Sequence, residues 1–170
     1  MTIKTRDIVM VGLSTALCVI GTMIRIPYGN GAMIHFGTAM LYTIAILFGG
    51  FKAAFAGAVG TAFFDLIMGF GPYTLWSFFI KGIAGFLVGV IANSGKSKGK
   101  NFNKNFIACL IGSVWTLIGY IVAWTYVIGS LKAALLNTPG SLFTSLTGIA
   151  AALILTGILR PILEKTGVIK

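Results

Sequence analysis

The sequence predicts an all-α membrane protein: six transmembrane helices in one compact bundle, with both termini cytoplasmic. Three observations carry this reading. Of 170 residues, 57% are hydrophobic and only 9% are charged, whereas about a quarter of an ordinary soluble domain is charged. Long apolar runs alternate with short breaks rich in Gly, Asn, Pro or Lys. The positive charges then fall on alternate breaks, as a polytopic membrane protein requires. Residues 1–170 read as a single integral membrane domain.

The first span is expected at 7–24, ended by "RIP", where Pro27 cannot continue a helix. Its basic start mimics a signal peptide. The apolar run is long for a signal core and no A-x-A site follows, so it reads as a retained span. A Gly/Asn loop, "YGNGAM", comes next. Residues 34–68 as one helix would be about 52 Å long at 1.5 Å per residue, well beyond a hydrocarbon core of about 30 Å. "GGFK" is therefore a tight turn between a second span at 34–48 and a third at 51–68. A break at Gly69–Pro72 leads to the fourth span, 74–92. The tetra-lysine stretch "NSGKSKGKNFNKN" is a solvated loop, and the fifth span covers 106–128. "GSLKAALLNTPG" reads as a short interfacial helix ended by Pro139, and the sixth span covers 141–163.

Six spans put both termini on one side. Ten positive residues (Lys4, Arg6, Lys52, Lys96, Lys98, Lys100, Lys104, Arg160, Lys165 and Lys170) then share that side, against Arg25 and Lys132 on the other. By the positive-inside rule the termini are cytoplasmic, in the plasma membrane. The net charge of +10 is thus a topology signal and not a nucleic-acid footprint.

Polar residues within spans face the bundle or a wet cavity. On the second span His35, Thr38 and Tyr42 lie at i, i+3, i+7; on the third, Thr61 and Asp65 at i, i+4. On the fourth, Thr74, Ser77 and Lys81 share a face; on the fifth, Thr116, Tyr120 and Trp124 do. Most sit in the non-cytoplasmic half, the geometry of a pocket open to the outside. An ammonium such as Lys81 within the bilayer costs about 2.5–3.5 kcal/mol on the insertion scale, which points to a function. Asp65 either accepts from a ligand or neutralises Lys81. His35 is either an interfacial residue or a ligand contact. Trp76 is either a membrane-interface anchor or a lid contact. Gly12 and Ala16 form a small-xxx-small pair that admits a close helix, internal or from another subunit.

Other chemistries lack their residues. Cys18 and Cys109 lie in apolar runs as packing residues. One His and three acids leave no metal cage. "NSGKSKGK" misses the spacing of a phosphate loop and follows a membrane helix. No cofactor is expected in this chain, and no enzymatic constellation is present.

The stretch "IHFGTAMLYTIAILFGGFKAAFAGAVGTAFFDLIMGFGPYTLWSFFIKGIAGFLVG" resembles the substrate-capturing S components of energy-coupling factor (ECF) vitamin transporters. The shared features are "HFG" opening the second span, an "FG" turn, D-L-x-x-G from Asp65, and F-x-x-K-G-x-x-G-x-x-x-G through Lys81. The likeness is greatest to the hydroxymethylpyrimidine and pyridoxine type. It implies a subunit that binds a vitamin from outside and delivers it inward with a T subunit and two ATPases, which use ATP. It implies that Gly12 and Ala16 meet the T subunit. It implies a pocket closed by the first outer loop and lined by Tyr73, Lys81, Tyr120, Trp124 and Asn137; on the reading of the polar stripes, His35 and Asp65 join Lys81 in fixing the solute's ring nitrogens and hydroxyls. The competing classes are a self-contained carrier or channel and a non-transport membrane scaffold.

Overall fold

A computed structural model describes residues 5–28 and 32–169. Among these, α1 (Thr5–Met23) leads into a hairpin of β1 (Arg25–Tyr28) and β2 (Ala32–His35). Then follow α2 (Gly37–Phe48), α3 (Gly50–Ile67), a 3-10 turn (Gly71–Tyr73), α4 (Thr74–Ala92), α5 (Phe102–Ile128), α6 (Leu131–Leu136) and α7 (Thr138–Lys165). The helices α1, α3, α4, α5 and α7 are each long and apolar enough to cross a bilayer, and α2 is a shorter apolar helix. Their exposed residues are large and apolar, for example Ile8, Phe55, Leu75, Val114 and Leu146, as a lipid-facing surface demands.

The helix α2 is the axis of the bundle. It is predominantly apolar and carries no charge, and only Met40 and Phe48 of its residues are not buried. Leu41, Tyr42, Ile46, Ala53, Val88, Ala108 and Ile149 form the core around it. The turn into α3 is a single residue, Gly49, at φ +88°, a conformation that favours glycine. The two helices can therefore run back on each other.

The expected second span begins too early. Ile34 and His35 belong to β2, and the supposed Gly/Asn loop is a hydrogen-bonded hairpin with Arg25 opposite His35 and Ile26 opposite Ile34. Its tip, residues 29–31, lies outside the described residues. The physical reason is length. Twelve helical residues reach only about 18 Å, and an extended β2 adds about 13 Å. The backbone of β2 is paired with β1, and its Ala32, Met33 and His35 line a cavity, a setting in which non-helical backbone is tolerated in membrane proteins. Two other boundaries also move. Asn101 accepts a hydrogen bond from Lys104 N at 3.0 Å, so α5 starts at Phe102 rather than at 106. Pro139 does not end the short helix α6; it sits in the first turn of α7, where its missing N–H costs nothing.

The closest packing is between α3 and α4. A Cβ on Gly57 would lie 2.7 Å from the Lys81 carbonyl oxygen, and one on Gly85 would lie 2.7 Å from the Ala53 carbonyl oxygen. Backbone cannot yield there, so glycine sets the helix separation. Gly12, in contrast, is exposed with open space around its Cβ direction. At the end holding the α4–α5 loop, Arg160 Nη2 donates to the Ile46 carbonyl at 3.2 Å and Asn93 Nδ2 to the Ala45 carbonyl at 3.2 Å. Those bonds satisfy the last carbonyls of α2. Gly57→Val is expected to cost about 1–3 kcal/mol through overpacking, seen as a lowered Tm of the purified protein in detergent. Gly12→Val is expected to leave the Tm unchanged.

Candidate functional site: a polar cavity beside the hairpin

The polar stripes of α2, α3, α4 and α5 converge at the hairpin end of the bundle on one cavity of about 60 Å³. Lys81 lies at its wall, 2% exposed. Its Nζ donates to Thr38 Oγ1 at 3.0 Å and stands 5.6 Å from the Tyr120 ring centroid, a cation–π distance. An ammonium carries three donors, so two remain for other partners. Tyr120 stacks on Trp124 with centroids 5.5 Å apart, and its hydroxyl shares a hydrogen bond of 3.0 Å with Ser77 Oγ.

Asp65 lines the same cavity and is 6% exposed. It does not pair with Lys81. Among the described residues the ion pairs are Asp7–Lys52, Lys100–Glu164 and Arg160–Glu164. The Ser77 hydroxyl faces the carboxyl, yet Oδ2 is buried with no hydrogen-bond partner. A buried carboxylate oxygen left so is costly, and a donor arriving in the cavity relieves it.

His35 and Tyr73 also reach the cavity. The His35 Nδ1 accepts from Gly37 N at 3.1 Å at the start of α2, which leaves Nε2 as the ring's donor. Asn137 is not brought there. It is buried at the α6–α7 junction, where its carbonyl accepts from Ser141 N at 3.3 Å. Gly12 and Ala16 lie on the exposed face of α1, away from the cavity. Trp76 packs on Tyr126 with centroids 5.8 Å apart and does not line the cavity.

Several lining residues escaped the sequence reading. Ser141, Thr144 and Ser145 of α7 and Thr22 of α1 contribute hydroxyls. Their signal was present: Ser141, Thr144, Ser145 and Gly148 recur at i, i+3, i+4, i+7, a small polar stripe. Phe64 and Phe70 add apolar wall. The second-span stripe, in turn, ran one residue too far. Tyr42 is fully buried below the cavity, sharing a hydrogen bond of 3.0 Å with Ser113 Oγ.

Comparison with known proteins agrees with this architecture. The family described as "ECF-type riboflavin transporter, S component" matches residues 2–161. The chain belongs to this family. As an S component it is a multi-pass membrane transport protein and not an enzyme. An uncharacterised protein of Pyrococcus woesei is 32% identical over 108 residues, covering 62% of this chain and 69% of that protein. The thiamine precursor transporter HmpT of Lactococcus lactis subsp. cremoris is 26% identical over 144 residues, covering 85% of this S component and 77% of HmpT. The solved structure of ThiT from Listeria monocytogenes superposes with TM-score 0.67 at 20% identity, covering 89% of this chain and 93% of ThiT; it speaks for the fold.

Tyr42→Phe is expected to cost about 1 kcal/mol of stability, measured by thermal or denaturant unfolding. Solute binding in the cavity is expected to be unchanged, because the Tyr42 hydroxyl does not reach it.

Proposed function

We propose that this S component captures a small, single-ring nitrogen heteroaromatic vitamin or precursor, of the hydroxymethylpyrimidine or pyridoxine type. It takes the solute from outside and hands it inward with a T subunit and two ATPases. The observation that carries the ligand class is the pair of unsatisfied groups in one cavity: spare donors on Lys81 and the unpartnered Asp65 Oδ2.

The ring stacks against the Tyr120–Trp124 pair. Lys81 donates to a ring nitrogen or oxygen. Asp65 accepts from an amino or hydroxyl group. His35 and Tyr73 complete the polar contacts near the hairpin. One positive and one negative side chain balance in the wall, which favours a neutral ring over a permanent cation such as thiamine. The volume points the same way: about 60 Å³ is small beside the roughly 300–1,000 Å³ of pockets for drug-sized ligands. That suits one ring better than the three of a flavin. The printed name of HmpT, a thiamine precursor transporter, supports this choice.

Orientation follows the charge bias, with termini cytoplasmic and the cavity end outward. The exposed Gly12–Ala16 face of α1 meets the T subunit. Energy comes from the partner ATPases.

Radiolabelled hydroxymethylpyrimidine and pyridoxine binding to the purified protein tests the site. Lys81→Ala, Asp65→Asn and Tyr120→Ala are each expected to weaken binding by about 10–100-fold. Unchanged affinity in both Lys81→Ala and Tyr120→Ala sinks the assignment. Ala16→Trp is expected to abolish uptake by cells co-expressing the T subunit and ATPases while leaving binding intact. Uptake into vesicles without any ATPase contradicts the reading.

A further inference from the structure

Arg25 does not line the cavity, and among the described residues it pairs with no carboxylate. It opens β1 and lies opposite His35, a cavity residue, in the hairpin register. Its guanidinium carbon is 5.3 Å from the Phe64 ring centroid and 5.1 Å from that of Phe70. The two rings are nearly parallel, 17° apart with centroids separated by 6.3 Å. Nη2 of Arg25 lies 3.7 Å from Met68 Sδ. Among the described residues no carboxylate or carbonyl oxygen bonds this side chain. The guanidinium instead lies against two aromatic rings and a thioether.

The rings belong to the outer end of α3 and the turn after it, and both line the cavity. On the opposite side the hairpin is tied to α7 by a different kind of contact. Thr144 Oγ1 donates to the Met33 carbonyl at 3.3 Å, and the Tyr28 ring sits against Gly140, where a Cβ would lie 2.5 Å from Tyr28 Cδ1. The α7 side is thus held by a hydrogen bond and close packing. The α3 side is held by a cation over ring faces, within the roughly 6 Å at which such contacts attract.

We propose that Arg25 is a positioning residue, a clasp that holds the hairpin wall against α3 and sets how fast solute exchanges with the cavity. It does not touch the solute; it acts through Phe64 and Phe70. This rests on the cavity being the solute site, but the clasp itself is measurable without any ligand.

The test uses the full chain in lipid nanodiscs. In the ligand-free protein, Arg25→Gln is expected to speed amide hydrogen exchange of the β1 and β2 strands by about tenfold, leaving α2 through α5 unchanged. Arg25→Lys, which keeps the charge but loses the planar fork, falls between. Phe70→Leu is expected to reproduce Arg25→Gln, and the double variant to go no further than either single change, as expected for one shared contact. With radiolabelled hydroxymethylpyrimidine, both association and release are expected to quicken in Arg25→Gln, with Kd changing less than either rate. Unchanged strand exchange overturns the clasp. So does exchange that rises equally across the helices, which marks a merely structural residue. If hydroxymethylpyrimidine and pyridoxine fail to bind the unaltered protein, the proposed function falls while the exchange data still decide the clasp.

Discussion

A single buried ammonium ties the packing of this protein to its site. The backbone carbonyl of Lys81 is the surface that Gly57 packs against, so α3 can approach α4 only with a glycine at that position. The side chain of the same residue crosses to Thr38 on α2. Moving the ammonium means moving the contact between α3 and α4, or pulling α4 off the central helix. A charge held at such depth is expensive unless it is solvated, and the cavity is what solvates it. The Thr38 hydroxyl and the Tyr120 ring contact the ammonium, and Ser77 and Asp65 line the same cavity, a partial replacement for water.

That replacement is incomplete, and the incompleteness is informative. Stable membrane interiors satisfy their polar groups within the protein. Here Asp65 and Lys81 share a cavity yet do not pair, and one carboxylate oxygen is left without a partner. Closing the two charges on each other would satisfy both and leave nothing for a solute to join. Stability is surrendered locally where Asp65 and Lys81 face the cavity unpaired, the point at which the proposed solute would supply the missing partners.

Much of this was legible in the sequence, because both the helical period and the cost of buried charge act locally. Asp65, Lys81, Tyr120 and Trp124 could be placed on facing stripes from spacing alone, and the structure brings them to one cavity. The hairpin was not legible. "RIPYGNGAMIH" is short, carries Gly, Asn and Pro, and looks like a loop; only the need to complete the depth that α2 leaves unspanned makes it a strand pair. Arg25 was hidden for the same reason, since its partners Phe64 and Phe70 are about forty positions away in the chain. The α7 wall was hidden differently. Ser and Thr bond readily to their own helix backbone, as Thr144 does to the Gly140 carbonyl at 3.0 Å, so their presence on a helix says little by itself.

The cavity wall is assembled from many pieces, each giving one to three side chains: the end of α1, the hairpin, the turn between α3 and α4, and α2, α3, α4, α5 and α7. The core beneath it around Leu41, Tyr42, Ile46 and Val88 is separate. Apart from Lys81 and Thr38, which also carry helix packing, mutation can therefore sample the wall one position at a time while the core beneath stays in place. An ancestral bundle of this design could diverge toward solutes of different shape by exchanging a few wall residues while its helices stayed in place.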